Sequence, residues 1–449
     1  MQVLLGFLFL FNLSLANLGK DPTIQEFEAE FHKLYTPEEE AEAEKNLKAH
    51  EAAIDKENEL FAEGKANFEE AVMEWDDLSP EEFLAEKTGD LDGAYGKGLI
   101  DTPEELRFNS PEDEEWINML MNASDRASFP TFFDARTKGL ITSVKNQKSC
   151  GSCSAFASAA MVETCLIRVG APSQHMDLSE QQLVDCAYDN KHAFGCDGAF
   201  IRAYPNWLAN KNQGFVNHEN HYPYLNNKPN LKCQNVKPWK AGARVEKSRV
   251  WERCDENRLK ELVYNYGAVV SVIYAGDQGF MDYKAGSVFD TCSNKAVNHA
   301  ITVIGWGRQN GQEYWLIKNS WGDYWGDKGY IKVKKGTCGV GTRCAVTECY
   351  KAGHQNPPPK KTGVLDITPC NISAKYGPKV TGTYNIKYKL PNGKTRTTLV
   401  VRFAFFLLLM WRTSFFFQTC AHSSCTPENP GKAKNACYTI CGRSKCGSQ

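Results

Sequence analysis

Apolar positions recur along this chain with two different periods, and the change between them divides it. From residue 23 to about 63 the sequence is rich in Glu, Ala, Lys and Leu with few breakers, which predicts helices. From Cys153 to about Val169, Phe156, Ala159, Ala160, Met161, Cys165, Leu166 and Val169 recur at helical spacing, and Gly170 is a stop signal. Further helical stretches are predicted at 179–186, where Ser179-Glu180-Gln181-Gln182 suits a helix start, and at 199–210. The pattern then shortens to apolar runs at 268–274, 300–306, 314–318 and 329–334, which read as strands. Helices followed by strands predict an α+β domain over 127–352. Outside it, 89–115 repeats Gly, Pro and acidic residues and reads as an extended linker. Pro357-Pro358-Pro359 begins a stiff linker into the tail, where 380–390 and Pro391-Asn392-Gly393-Lys394 predict a hairpin.

A chain of 449 residues is too long for one compact unit. Residues 1–16 are apolar and end Ser14-Leu15-Ala16, a secretory signal pattern. Seventeen cysteines agree with an oxidising compartment, lysosomal or extracellular. No pair of Cys-x-x-Cys motifs suggests zinc, and no cofactor or nucleic-acid motif is present. The net charge of −2 conceals an asymmetry: residues 17–126 carry −22 and residues 127–449 carry +20. An acidic segment covering a basic partner in the same chain is one reading; a solvated helix face is the other. The tail, 353–449, carries +12 and six cysteines, so an anionic matrix or lipid surface is a candidate partner beside a plain solvated appendage. Its apolar run at 403–411 is nine residues, too short to span a bilayer.

Chemistry enters at Gln147-Lys148-Ser149-Cys150-Gly151-Ser152-Cys153, which places two cysteines just ahead of a helix. A thiol at a helix N-terminus sits where backbone N–H groups favour the anion, so Cys153 is expected to have a lowered pKa. Disulfide partnership for both cysteines is the competing reading. Two later segments bear on it. Asn298-His299-Ala300 opens an apolar run 146 residues after Cys153, and Lys318-Asn319-Ser320-Trp321-Gly322 follows a strand 20 residues later.

Together these segments resemble the papain/cathepsin L family of cysteine proteases: Gln-x-x-Cys-Gly-Ser-Cys, Asn-His-Ala and Lys-Asn-Ser-Trp-Gly-x-x-Trp-Gly. The resemblance implies the two-lobed papain architecture, a helical lobe beside a β lobe. It implies Cys153 as nucleophile, His299 as its proton-transfer partner, Asn319 as the acceptor that orients His299, and Trp321 as a shelter for that bond. Gln147 would join the Cys153 N–H in an oxyanion hole. Where the family carries tryptophan after the nucleophile this chain has Ser154, which is expected to loosen packing beside the sulfur.

Further implications follow from the same resemblance. Glu39, Leu47, Ile54 and Asn58, then Trp75-Asp76-Asp77-Leu78-Ser79-Pro80, resemble a cathepsin L-like inhibitory prosegment, with Ala43 and His50 at the usual arginine and asparagine positions. Processing would fall near 125–128. Bridges Cys150–Cys196, Cys186–Cys233 and Cys292–Cys338 are implied; Cys344 and Cys349 are candidates for a fourth, and Cys165 reads as a buried thiol. Gly198 and Ala199 would hold substrate backbone, and Ile201, Ile273, Val297 and Arg343 would line the main specificity pocket. Asn122 and Asn371 are in glycosylation sequons. The expectation is a monomeric endopeptidase made as a zymogen, acting on proteins and peptides; the competing reading is a catalytically impaired papain-fold binding protein.

Overall fold

The computed structural model describes residues 21–89 and 129–351 apart from 174–175, 190–191, 211–213, 226–231, 235, 237–242, 252–253 and 294, together with short backbone strands in the tail. The 1–16 leader, the linker, the processing region and both sequons lie outside the described residues. The chain divides into two compact units, Met1–Gly353 and His354–Gln449.

Among the described residues, three helices come first: α1 (Ile24–Phe31), α2 (Pro37–Ala62) and α3 (Pro80–Lys87). Each begins with a reciprocal cap, Thr23 with Glu26, Thr36 with Glu39, and Ser79 with Glu82. The side-chain oxygen accepts an amide that the helix leaves open, and the glutamate accepts the cap's own N–H. Between α2 and α3 the chain forms β1 (Phe68–Glu70), clamped by Asn58, whose side chain bonds both the N–H and the carbonyl of Glu70 at 2.9 Å.

The body follows. Helix α4 (Cys153–Arg168) is buried on nearly every face over its first three and a half turns, which explains its apolar character all round. Helices α5 (Glu180–Cys186) and α6 (Ala203–Asn210) come next. Lys145 ties this region together at depth, with Glu163, Asp177 and Glu180 at 3.1, 2.8 and 2.8 Å. The strand half comprises β3 (Ala243–Trp251), β4 (Val269–Ile273), β5 (Tyr283–Gly286), β6 (His299–Gln309), β7 (Gln312–Lys318), β8 (Tyr330–Lys334) and β9 (Cys344–Lys351). Their main sheet is antiparallel in the order β3-β9-β4-β6-β7-β8, and β2 (Phe133–Asp134) pairs with β6. Asn310 and Gly311, both at positive φ, make the two-residue turn between β6 and β7. Helix α7 (Glu256–Tyr266) is a further element, with Leu259, Leu262, Val263 and Tyr266 turned inward. Helices then antiparallel sheet is the two-lobed α+β arrangement expected.

The N-terminal segment docks on the body through β1, which pairs antiparallel with β5 in the register Phe68↔Gly286. Phe68 packs against Tyr283 and Phe289, with ring centroids 5.6 and 5.2 Å away. Glu74 meets Lys148 at 3.6 Å across the same boundary. Strand pairing, aromatic packing and this ion pair share the contact.

In the tail unit, strands Gly382–Lys389 and Thr395–Arg402 form the antiparallel hairpin that the Pro-Asn-Gly-Lys turn predicted.

Candidate active site

The loop before α4 is drawn tight by the Cys150–Cys196 bridge. A Cβ on Gly151 would lie 2.2 Å from the Cys196 carbonyl oxygen, so glycine is required by space. The bridge thereby sets Gly198 and Ala199 beside the start of α4. Ser154 is fully buried and donates its hydroxyl proton to the Ala199 carbonyl at 2.7 Å. The looseness expected of Ser154 is therefore replaced by a specific bond between the helix start and the 198–199 segment.

Cys153 is the one cysteine outside a bridge among the described residues, and it is completely buried. Its Sγ accepts the Ala300 N–H at 3.3 Å, so the sulfur rests against the first residues of β6. His299 opens that strand, opposite Ile273. Its Nε2 lies 2.8 Å from Asn319 Oδ1, and since an amide oxygen only accepts, Nε2 carries the proton. That leaves Nδ1 with a lone pair, buried and without a hydrogen-bond partner. Asn319 Oδ1 also accepts the Ser320 N–H at 2.9 Å. The Trp321 ring covers His299 with centroids 4.8 Å apart. Gln147 is anchored by the Ser320 hydroxyl on its Oε1 at 2.7 Å, and its Nε2 donates to the Cys150 carbonyl at 3.0 Å. Cys153, His299, Asn319, Gln147 and Trp321 thus meet in one buried place.

The N-terminal segment lies on top of it. Lys87, Thr88 and Gly89 are buried, and the Lys87 carbonyl accepts from Gln147 Nε2 at 3.0 Å and from Trp321 Nε1 at 3.3 Å. The Gly89 N–H donates to the Asn298 carbonyl at 3.0 Å. A Cβ on Gly89 would stand 3.0 Å from Gly198 Cα, 3.2 Å from the Gly151 carbonyl oxygen and 3.4 Å from Cys153 Sγ. Trp75 and Phe83 hold this strap down, both edge-on to Trp321 at 5.3 and 5.5 Å.

This cover changes the electrostatics expected from sequence. Burial pushes the Cys153 thiol above its ordinary value, outweighing the hydrogen bonds from Ala300, Gly89 and Ser154 that lower it. The helix dipole does not win while water is excluded. Burial likewise lowers His299 to about 4, against a smaller opposing effect of Asn319. The covered pair is a neutral thiol beside a neutral imidazole.

The pocket residues are more dispersed. Ile201 is buried just past Gly198, and Ile273 is buried at the end of β4. Val297 is half-buried and sits against Gly339, while the Ile273 carbonyl accepts the Asn298 N–H at 3.1 Å, so Ile273 and Val297 border His299. Arg343 is half-buried, and its carbonyl accepts the Ser271 hydroxyl at 3.0 Å.

Bridges join Cys186 to Cys233 and Cys292 to Cys338 as well as Cys150 to Cys196. Two further bridges correct the sequence reading: Cys165 joins Cys349, and Cys254 joins Cys344. Cys344 and Cys349 cannot pair with each other because both stand on β9, and each faces a different partner brought up by the fold.

The family model described as papain family cysteine protease matches residues 129–349. The chain is 30% identical to digestive cysteine proteinase 1 of Homarus americanus over 343 residues, 75% of this chain and 96% of that protein. It is 31% identical to cathepsin L2 of Homo sapiens over 329 residues, 71% of this chain and 89% of that protein. Its fold is similar to the solved structure of digestive procathepsin L2 proteinase from Tenebrio molitor larval midgut, with a TM-score of 0.57 and 29% identity over 72% of this chain and 98% of that one.

Proposed function

Because this chain belongs to the papain family of cysteine proteases, we propose that Cys153, His299, Asn319 and Gln147 perform its peptide-bond hydrolysis, and that residues 17–126 restrain them until removed. The observation that carries the reading is the 2.8 Å bond from His299 to Asn319 beside a sulfur held by the next amide, with Nδ1 open as a base.

The chemistry follows from these atoms. Once uncovered, Cys153 gives its proton to His299 Nδ1, and the imidazolium–thiolate pair regains the solvent and helix-end stabilisation that burial denies it. The sulfur attacks the substrate carbonyl, and the oxyanion accepts from Gln147 Nε2 and the Cys153 N–H. His299 then protonates the leaving amine as the C–N bond breaks. Water, deprotonated by His299, hydrolyses the thioester and restores the thiol. Gln147 Nε2 is the donor that the Lys87 carbonyl engages in the precursor, which supports inhibition by occupancy of the same site.

The division that fits is a leader at 1–16, a prosegment and linker at 17–126, a peptidase domain at 127–352 and a basic extension at 353–449. It describes a monomeric enzyme of the secretory pathway, lysosomal or extracellular. Gly198 and Ala199 would bind substrate backbone, with Ile201, Ile273, Val297 and Arg343 around the neighbouring side chain. The extension would serve contact with an anionic surface.

The test is covalent labelling of the processed protein by an epoxysuccinyl inhibitor, alongside hydrolysis of a peptide substrate. Both should occur at one site per chain and vanish in Cys153→Ala. Processed protein that binds peptides yet neither hydrolyses them nor takes the label would establish the binding-protein reading instead.

A further inference from the structure

A second cluster of chemically competent side chains lies away from Cys153, between the prosegment and the body. His50 comes from α2, Asp76 from the turn before α3, and Asp282 from the residue capping the short helix Gln278–Met281. One ligand atom from each lies within 4.8 Å of the others. Both aspartates are fully buried, and Oδ1 of each lacks a hydrogen-bond partner.

The distances separate two explanations. His50 Nδ1 stands 3.4 Å from Asp282 Oδ2 and 3.5 Å from Asp76 Oδ1. Both are long for an N–H···O bond, which centres near about 2.9 Å. Both are close to the spacing of about 3.3 Å between neighbouring ligands of a tetrahedral ion with bonds of about 2.05 Å. Charge points the same way. Two buried carboxylates must be neutralised, by protons or by nearby positive charge; a protonated imidazole supplies one such charge, and a divalent cation supplies both. Outer bonds also orient the trio: the Met73 N–H donates to Asp76 Oδ2 at 2.9 Å, and Gln278 Nε2 approaches the His50 carbonyl at 3.4 Å.

We propose that His50, Asp76 and Asp282 bind one divalent cation of the zinc class, which ties the prosegment to the body. One nitrogen and two oxygens suit that ion and leave a fourth position for water. The ion neutralises both carboxylates and links residues 50 and 76 to residue 282, so its removal loosens α2 from the body. The link's regulatory meaning rests on the zymogen reading above; the site itself does not.

The experiment uses the full precursor carrying Cys153→Ala, which removes self-processing and the Cys153 thiol as a competing zinc ligand. Zinc titrated by calorimetry should bind at one equivalent, and cobalt(II) should give the intense visible bands of a tetrahedral site. His50→Gln and Asp282→Asn should each weaken zinc binding at least about 100-fold. Because either variant could disturb folding, zinc should also raise the thermal midpoint of the otherwise unaltered precursor. Amide exchange over 37–62 should slow at least about tenfold with zinc. The proposal is overturned if the precursor binds no zinc at micromolar concentrations. It is equally overturned if both variants bind within threefold of the parent, as surface histidines would produce, or if α2 exchange ignores the metal. None of these readouts uses peptidase activity, so a failure of the enzymatic reading would leave them interpretable.

Discussion

The covered state of the active site predicts that His299 titrates at two different places before and after prosegment removal. The perturbation is the removal itself, compared in Cys153→Ala protein so that the precursor does not process. Burial lowers His299 from the ordinary 6.5 to about 4 beneath the Lys87–Gly89 strap. If the open site returns the imidazole to an ordinary value, the gap of about 2.5 pH units corresponds to about 3.4 kcal/mol. The sign follows from which state binds the proton. The covered site holds neutral His299, so its stability is whole above pH 6.5 and is lost as pH falls from 6.5 through 4. Between pH 7 and pH 4.5 this one residue favours release by about 60-fold. Glu70 acts in the opposite direction, since burial pushes its carboxyl up to about 8 and acid then favours the covered state. Overall opening rates would mix these effects, so the assay must read His299 itself. Histidine-labelled NMR, with the resonance assigned by His299→Gln, provides that reading. A precursor His299 that titrates within half a pH unit of the processed domain would refute the argument that the strap desolvates it.

Three further outcomes follow from the same contacts. Gln147→Ala should lower kcat of the processed enzyme by about 10²–10³ with KM little changed, since the donor acts on the developing oxyanion; steady-state kinetics would expose an effect confined to KM. Trp75→Ala removes a fully buried ring packed on Trp321 and should cost prosegment docking about 3–5 kcal/mol, read as inhibitor labelling of the precursor accelerated at least about 100-fold. Ser154→Ala leaves the Ala199 carbonyl without its buried donor and should destabilise the domain by about 1–3 kcal/mol in urea titrations, with a raised KM for peptides; unchanged midpoint and KM would mean the bond is dispensable.

What the sequence disclosed depended on the range of the interaction. The helix after Cys153 and the strands on either side of Pro-Asn-Gly-Lys are written in neighbouring residues, and both formed where their local pattern put them. Helix α7 was missed although its signals are as local: Asp255 caps it, Leu259, Leu262, Val263 and Tyr266 mark one face, and Gly267 ends it. Strand β3 was obscured by Arg, Glu and Lys interspersed among its inward residues. The Cys165–Cys349 bridge spans 184 residues, and only the packing of α4 on β9 brings its ends together. The thiol's electrostatics escaped for a similar reason. A helix start is local, but the strap that dries it comes from more than sixty residues upstream. Lys87 to Gly89 carry no motif of their own; their role exists only once Trp75 and Phe83 have found Trp321.

A methyl group on Gly89 would be tight where the chain crosses the sulfur, and its neighbours would have to give by a few tenths of an ångström. A larger side chain there would press on the backbone of Gly198 and Gly151. A segment that meets the Cys153 sulfur without a side chain also offers the residues around it nothing to grip there. The cover over the sulfur is thus a matter of backbone fit, in which a single added carbon already calls on the neighbouring loops to yield.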